Sequence, residues 1–297
     1  MVRNKGFIDL DKILNSIGVN TSSLNSVLDS DKIQNIDTAQ SIVFLFKYLN
    51  KNYFYKSDPI FSPYTELIGT EMLKDFNLPY VDYDLASVSG SKGVISEDYK
   101  EKNSNYISGY QLLYDFYGED FIDNVAQYDN LESIWDALLY RYKDNPNKDN
   151  IVSNLMNRIT DLYIFDIIVA NSDRHPDNFA IVESKDNIDI APIYDNSRML
   201  LSVNHTKAVT LTVDEVAYEE LYSSLDKFIN VSDTNFLNKI KDKLWIIDEE
   251  NILDIFDRVQ NKIGYSIPGR IKNFYINKLK EHRNRLEEII NSNTRKR

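Results

Sequence analysis

An apolar segment in the middle of the chain constrains the fold most strongly. Residues 151–171, IVSNLMNRITDLYIFDIIVAN, predict a long helix that is apolar over most of its length. The helix leads directly into the polar loop SDRHPDN. The segments NFAIVES and IDIAPIYD that follow predict a β-hairpin around residues 185–187. This order places an Asp, a His and an Asn within six positions, between two apolar segments.

The N-terminal part has a different pattern. SIVFLFKYLNKNYFYKS, residues 41–57, predicts a β-hairpin with the turn LNKN and a second strand that ends at Lys56. YTELIGTEMLKDFN then predicts a helix that Thr65 would cap. PYVDYDLASVSGSKGVISEDY predicts two more strands around a turn from Gly90 to Gly93. The pattern of the first forty residues predicts short helical pieces and polar loops. It assigns no function to them.

From Ser108 onward the chain is mostly helical, apart from the central hairpin. The pattern predicts an α+β protein with a bilobal protein-kinase-like fold, a small β-rich N-terminal lobe and a larger helical C-terminal lobe. We expect the first lobe to comprise residues 1–105 and the second residues 106–297. The 297 residues, 42% of them hydrophobic, are enough for one such unit.

Composition excludes several classes of function. A formal net charge of −12 repels a phosphate backbone, so we expect no nucleic-acid partner. The absence of cysteine excludes disulfides and a thiol nucleophile, and His205 and His282 lack the neighbours of a zinc site. No stretch approaches 18 apolar residues, which predicts no membrane span. We expect a cytoplasmic protein, and delivery into a host cell is compatible with the same composition.

The spacing in and after the polar loop suits phosphoryl transfer. Such transfer needs phosphates and a metal ion held in place, and an acceptor hydroxyl oriented by a carboxylate. Asp173 and Asn178 are five residues apart, as are the Asp and Asn of the protein-kinase catalytic loop. Asp195 lies seventeen residues further on, about the length of two short strands and a turn. We therefore predict Asp173 as the catalytic carboxylate, and Asn178 and Asp195 as magnesium ligands.

Three other residues are candidates for the remaining functional groups of a kinase site. Lys56, on a strand, is the candidate that holds the α- and β-phosphates, and Glu66, in the next helix, is the candidate that steadies it. Glu71 competes with Glu66 for that role. His175 occupies the place of the Lys that reaches the transferred phosphate in protein kinases, and an imidazole that donates a hydrogen bond could do that work.

These motifs resemble those of the HipA-like serine/threonine protein kinases. NSDRHPDNFAIV followed by IAPIYDNSRML is similar to that family's N-x-D-x-H-x-x-N and L/A-P-x-Y/F-D motifs. YFYKS and YTELIGTEML resemble its nucleotide-binding Lys and its N-E-x-x-A helix. The resemblance covers about residues 41–205 and is to the short members of the family. It implies an ATP- and magnesium-dependent kinase that acts on Ser or Thr of a protein, and autophosphorylation at Ser41 or Thr38.

The chain departs from the family pattern in two ways. No glycine occurs between Gly18 and Gly69, so the loop at residues 35–43 would have to cover the phosphates without one. Full-size HipA toxins carry an additional N-terminal segment that a chain of this length does not hold. The resemblance therefore does not by itself imply that the chain binds an antitoxin. An antitoxin or other regulatory protein is kept as a candidate partner.

Other interpretations stay open. The D-R-H-x-x-N loop also occurs in phosphatidylinositol 3/4-kinases, which leaves a lipid or small-molecule kinase as an alternative. The glycine-free loop favours a pseudokinase-like binding module as a second one. Asp166, inside the apolar helix, either braces the catalytic loop through backbone amides or lies on an exposed face. For Arg174 we expect a partner on the acidic surface rather than a phosphoryl group.

Overall fold

A seven-stranded sheet forms the N-terminal part of the molecule. The computed structural model describes residues 3–36, 41–58, 62–100, 103–185, 187–199, 202–205, 210–213 and 234–295. The strands of the sheet are β1 (Arg3–Asn4), β2 (Phe7–Asp9), β3 (Ile33–Ile36), β4 (Ile42–Tyr48), β5 (Lys51–Ser57), β6 (Asp84–Val88) and β7 (Ser91–Glu97). Their order is β1-β2-β6-β7-β5-β4-β3, and all neighbours are antiparallel except β2 and β6.

Helices dominate the remainder of the described chain. The helices are α1 (Leu10–Ser16), α2 (Leu24–Leu28), α3 (Pro63–Phe76), α4 (Gly109–Tyr117), α5 (Glu119–Asp123), α6 (Val125–Tyr128), α7 (Leu131–Arg141), α8 (Lys148–Ile168), α9 (Thr234–Lys243), α10 (Glu249–Ile263) and α11 (Gly269–Arg295). Five short strands accompany them: β8 (Asn105–Ser108), β9 (Ala180–Glu183), β10 (Ile188–Ile190), β11 (Ser202–His205) and β12 (Thr210–Val213). Pro176–Asn178 and Leu244–Ile247 form 3-10 turns. In the described residues, no helix is both long and apolar enough to cross a membrane.

The predicted order of strand, strand, helix, strand, strand in residues 41–99 is confirmed, but details of the turns differ. The first turn is a two-residue hairpin loop that contains only Leu49 and Asn50, and both residues have positive φ. Gly93 lies inside β7, where an added Cβ would come within 2.1 Å of a backbone oxygen of β5. Thr65 does not cap α3, because it lies within the helix and its hydroxyl pairs with that of Tyr275.

The first forty residues contain more strand than the sequence predicted. The helical pieces α1 and α2 are present, and β1, β2 and β3 add to both edges of the sheet. Residues of α1 pack on one face of the sheet together with Phe44 and Tyr55, both fully buried. These segments therefore supply the outer hydrophobic core of the sheet. Residues 37–40 lie outside the described chain.

The opposite face of the sheet looks toward the helical part. A strand alternates its side chains between two faces, so Phe54 and Lys56 point away from Tyr55 and line a cleft instead. α3 packs against this side and joins a continuous core with the later helices. The apolar helix predicted in residues 151–171 is α8, which is buried along its C-terminal half.

The hairpin after α8 forms a small three-stranded sheet in the order β10-β9-β8. Its approach to α4 is close: the Gly109 amide donates to the carbonyl of Phe179, and a Cβ at Gly109 would lie 2.3 Å from the Phe179 ring. A parallel bridge joins Tyr80 to Ile193. These contacts fix the polar loop between α8 and β9, together with the segment after β10, against the rest of the fold.

Candidate active site

A cleft with a volume of about 590 Å³ lies between the seven-stranded sheet and the polar loop. The sheet contributes apolar side chains, including those of Val43, Phe54 and Val94. The opposite wall contributes polar and charged groups, namely Asp173, His175, Tyr194, Asp195 and Arg198. The cleft thus combines an apolar wall with a concentration of charge, a combination typical of a small-molecule site.

Lys56 is the centre of the charged cluster. Its Nζ lies 3.1 Å from Oε1 of Glu66 and 2.5 Å from Oδ1 of Asp195. Glu71 pairs with Lys74 and Arg258 instead. The structure thus brings Glu66, and not Glu71, to Lys56. Burial disfavours the charged ammonium, but the two carboxylates outweigh burial and raise the pKa of Lys56 above its ordinary value.

The two carboxylates differ in their surroundings. Burial raises the pKa of Glu66, and the charge of Lys56 offsets this in part. Burial also opposes ionisation of Asp195, but the charge of Lys56 and hydrogen bonds from Lys56 and Ser197 lower its pKa overall. Asp195 has a φ of 58°, a strained conformation for a non-glycine residue. The backbone of this segment therefore turns sharply at the residue that meets Lys56.

The polar loop is held by its own hydrogen bonds. Nδ2 of Asn178 donates to the backbone oxygen of Asp173 at 2.7 Å and lies 3.0 Å from Nε2 of His175. Nδ1 of His175 accepts from the Asp177 amide at 3.3 Å. A neutral imidazole accepts at only one nitrogen, so these two His175 contacts compete. The loop brings Asp173 and His175 to the cleft, with Asn178 buried behind them.

Asp173 has an environment suited to proton transfer. Its side chain is 36% exposed, so a group entering from solvent can reach it. Burial raises the pKa of the Asp173 carboxyl, and the nearby Arg198 guanidinium opposes this in part. Oδ1 of Asp173 lies 3.4 Å from Nη1 of Arg198. A raised pKa favours uptake of a proton from a hydroxyl.

A buried ion pair supports the loop from behind, and our expectation for Arg174 was wrong. Arg174 does not reach the acidic surface: its Nε lies 2.8 Å from Oδ2 of Asp166, and the two side chains are 3% and 6% exposed. Nη1 of Arg174 also donates to the carbonyls of Asn178 and Tyr194. Asp166 accepts from the side chain of Asn171 as well, so it braces the loop through side chains rather than backbone amides.

Asn196 connects this ion pair to the cluster around Lys56. The backbone N–H of Asn196 donates to Oε2 of Glu66 at 2.8 Å, and its side-chain Oδ1 accepts from Nη2 of Arg174 at 3.2 Å. Its Nδ2 is buried and has no hydrogen-bond partner among the described residues, which is a costly arrangement. Glu66 and Asp166 are therefore linked by a continuous chain of hydrogen bonds, which joins the sheet side of the cleft to the loop side.

Sequence reasoning missed Asn196, Ser197 and Arg198. All three directly follow Asp195, and Ser197 donates to Oδ1 of Asp195 at 2.7 Å. Their only signal in the sequence was this adjacency, which does not say which side chain turns inward. Ser41, a predicted autophosphorylation position, lines the cleft, and its hydroxyl donates to Oδ2 of Asp58 at 2.6 Å. The alternative position, Thr38, lies outside the described residues.

The donor set around the cleft fits a magnesium ion bound mainly through a nucleotide. The described residues contain no group of three or more His, Cys, Asp or Glu that would hold a metal ion alone. Magnesium in nucleotide sites uses one or two protein ligands, together with phosphates and water. Among the described residues, Oδ2 of Asp195 is available for this purpose, since the hydrogen bonds from Lys56 and Ser197 both go to Oδ1 of Asp195. Asn178 lies buried behind the cleft wall, and its Oδ1 is the second candidate ligand.

Comparison with known proteins identifies the fold. No protein-family model and no curated protein sequence matches the chain. Its structure is similar to that of the proinflammatory kinase CtkA of Helicobacter pylori, with 16% sequence identity and a TM-score of 0.56, over 84% of this chain and 93% of that chain. A fold shared with a kinase over most of both chains confirms the predicted α+β, kinase-like class.

A second similar structure is HipA of Shewanella oneidensis MR-1, in a toxin–antitoxin complex with HipB and operator DNA. It has 13% identity and a TM-score of 0.45, over 96% of this chain and 73% of that chain. The similarity to CtkA confirms, at the level of fold, the family resemblance that the sequence motifs indicated.

Proposed function

We propose that this protein is a HipA-like kinase that uses ATP and magnesium to phosphorylate Ser or Thr of a protein. The observation that carries the proposal is the position of the Lys56 ammonium. It lies between Glu66 and Asp195, in the same cleft that Asp173 lines. These four residues come from four separate segments of the chain. A cluster assembled in this order is the arrangement that phosphoryl transfer requires.

Lys56 would bind the α- and β-phosphates of the nucleotide. Its raised pKa keeps the ammonium charged, so it offers a positive group to the phosphates. Glu66 fixes the direction of the ammonium from a buried position, and the Asn196 amide in turn fixes Glu66. The apolar wall of the cleft is suited to the base.

Asp173 would orient the acceptor hydroxyl and receive its proton. The hydroxyl oxygen forms a bond to the γ-phosphorus, and the bond from that phosphorus to the β–γ bridging oxygen breaks. ADP leaves with the electron pair of the broken bond, and the hydroxyl proton passes to the carboxylate of Asp173. Asn178 and Asp195 would hold magnesium, which neutralises charge on the phosphate oxygens. His175, at the rim of the cleft, would donate a hydrogen bond to the transferred group.

A protein acceptor is proposed because its Ser or Thr hydroxyl can reach Asp173. Asp173 faces an open cleft, so a Ser or Thr on a protein segment can approach it. Ser41 lines the same cleft, and we include it as a site of autophosphorylation, with Thr38 as the alternative. A phosphate on Ser41 would place negative charge beside Asp58 and weaken nucleotide binding. A regulatory or antitoxin protein is a second proposed partner.

The test is incubation of the purified protein with γ-labelled ATP and magnesium, with label located by mass spectrometry. Asp173→Ala and Asp195→Ala are run beside the wild type, and Asp161→Ala, a surface change on α8, is the control. We expect label on Ser or Thr with wild type and control, and none with the two cleft variants. Label that persists in either cleft variant would refute its assigned role. Nucleotide binding without any transfer to protein, peptide or lipid acceptors would indicate a binding module.

A further inference from the structure

Ser96 is a buried polar residue within the apolar wall of the cleft. It lies on β7 and is paired in register with Phe54 of β5. Side chains two residues apart on a strand share a face, so Ser96 points to the same side as Val94. All three residues line the cleft, and Ser96 is 5% exposed. The Ser96 hydroxyl therefore lies on a wall where the neighbouring strand positions carry apolar side chains.

The Ser96 hydroxyl has no hydrogen-bond partner in the part of the chain that the structure describes. Ser57, a residue of the same burial on the neighbouring strand, differs in this respect. Its hydroxyl lies 2.7 Å from that of Ser91 and donates to the carbonyl of Lys92 at 2.9 Å. A buried hydroxyl without a partner is destabilising. Because the Ser96 side chain borders the cleft, a bound ligand can supply the missing partner.

The position of Ser96 relative to Lys56 indicates which part of a nucleotide it meets. Lys56 pairs in register with Val94, and Phe54 with Ser96, so the second pair lies two residues, or about 6.6 Å, further along the same face. In the opposite direction the next such position on β7 is Lys92, which does not line the cleft. A nucleotide with its phosphates at Lys56 consequently extends its ribose and base toward Phe54 and Ser96.

We propose that the Ser96 hydroxyl accepts a hydrogen bond from the 6-amino group of adenine and makes Ser96 a specificity-determining residue for the base. The inference rests on the proposed function, which places ATP in this cleft. Adenine carries its 6-amino group on the edge remote from the ribose, and a hydroxyl can accept as well as donate. Phe54 would contact the ring itself. A base without a group at this position would leave the buried hydroxyl unpaired and would bind more weakly.

The first test compares ATP with purine riboside triphosphate, which differs from ATP only by the absence of the 6-amino group. Titration calorimetry with magnesium gives both affinities. Wild type should bind ATP about three- to tenfold more tightly, as expected for one neutral hydrogen bond. Ser96→Ala should lose this preference through weaker binding of ATP, with little change for the analogue. Ser57→Ala, a matched buried serine whose hydroxyl is paired within the protein, should keep the preference.

A second test uses the absence of cysteine from the chain. Ser96→Cys introduces a single thiol at nearly the same volume. This thiol should react with methyl methanethiosulfonate, and ATP at ten times its Kd should slow the reaction about tenfold, because the bound base covers it. Ser153→Cys, on the exposed side of α8, should react equally fast with and without ATP. A thiol at position 96 that ATP does not protect, or that fails to react without ATP, would overturn the inference.

The outcomes separate the inference from the proposed function. If wild type binds ATP and transfers phosphate, and Ser96→Ala keeps the preference for ATP, the inference is wrong and the kinase assignment stands. If Ser96→Ala weakens ATP and the analogue equally, the hydroxyl meets another part of the nucleotide, and its assignment to the 6-amino group is refuted. If wild type binds neither nucleotide, both the inference and the proposed function are wrong.

Discussion

The buried pair between Asp166 and Arg174 supports a prediction about stability. Asp166→Asn keeps the shape of the side chain and an oxygen that accepts hydrogen bonds, but removes its charge. The Arg174 guanidinium would then be a buried cation without a counterion, since its side chain is only 3% exposed. Removal of one member of a buried ion pair typically costs about 3–5 kcal/mol.

The lower end of this range applies here. Arg174 keeps three neutral acceptors after the substitution, namely the carbonyls of Asn178 and Tyr194 and Oδ1 of Asn196. We therefore expect a loss of about 3 kcal/mol in the free energy of unfolding. For a protein of this size, that corresponds to a fall of roughly 5 °C in Tm.

The assay is equilibrium unfolding in urea, with the matched control Asp161→Asn on the same helix. Asp161 is 39% exposed and lies 3.5 Å from Lys239, so its loss should cost no more than about 1 kcal/mol. Phosphoryl transfer, measured below the unfolding midpoint, should also fall in Asp166→Asn, because Arg174 holds the polar loop against the segment that carries Asp195. Equal unfolding free energies for the two variants would refute our account of the buried pair.

Three further predictions concern other parts of the fold. Lys56→Met should abolish binding of ATP in titration calorimetry, because it removes the cation that meets the phosphates and leaves the carboxylates of Glu66 and Asp195 to repel them. Binding that survives would exclude Lys56 as the phosphate contact. Gly93→Ala should cost about 1–3 kcal/mol in urea unfolding, since its Cβ would strike the β5 backbone at Lys56, whereas Gly269→Ala meets open space and should be nearly neutral. Burial lowers the pKa of His282 to about 4 from 6.5, so the unfolded chain binds the extra proton. Stability should be full above about pH 6.5 and fall by up to about 3 kcal/mol as pH drops toward 4, a slope that His282→Gln should flatten.

The parts of the site that sequence predicted are those with local signals. Lys56 was predicted from its place at the end of a strand and from the resemblance of YFYKS to a family motif, and Asp173, Asn178 and Asp195 from spacing within one loop and one hairpin. The partner of Arg174 could not be predicted in this way. An Arg in a polar loop is usually solvated, and only Asp166, a carboxylate in an apolar helix, indicated that a buried cation was needed.

The strands that sequence analysis missed are too short to show a period of two. β1, β2 and β3 contain two, three and four residues, and β2 pairs in parallel with β6, far along the chain. Such pairing depends on tertiary packing rather than on local preference. Arg198 was missed for a related reason: its direction is set by the buried Asn196 and Met199 on either side, and both positions become clear only when the fold is known.

The most direct test of the account is a crystal structure with magnesium and adenylyl imidodiphosphate. We predict the triphosphate within hydrogen-bond distance of Lys56, a metal ion bound by Asp195 and Asn178, and the γ-phosphate beside Asp173. A nucleotide bound outside this cleft, or bound within it with the γ-phosphate remote from Asp173, would contradict the assignment of the cleft as a phosphotransferase site.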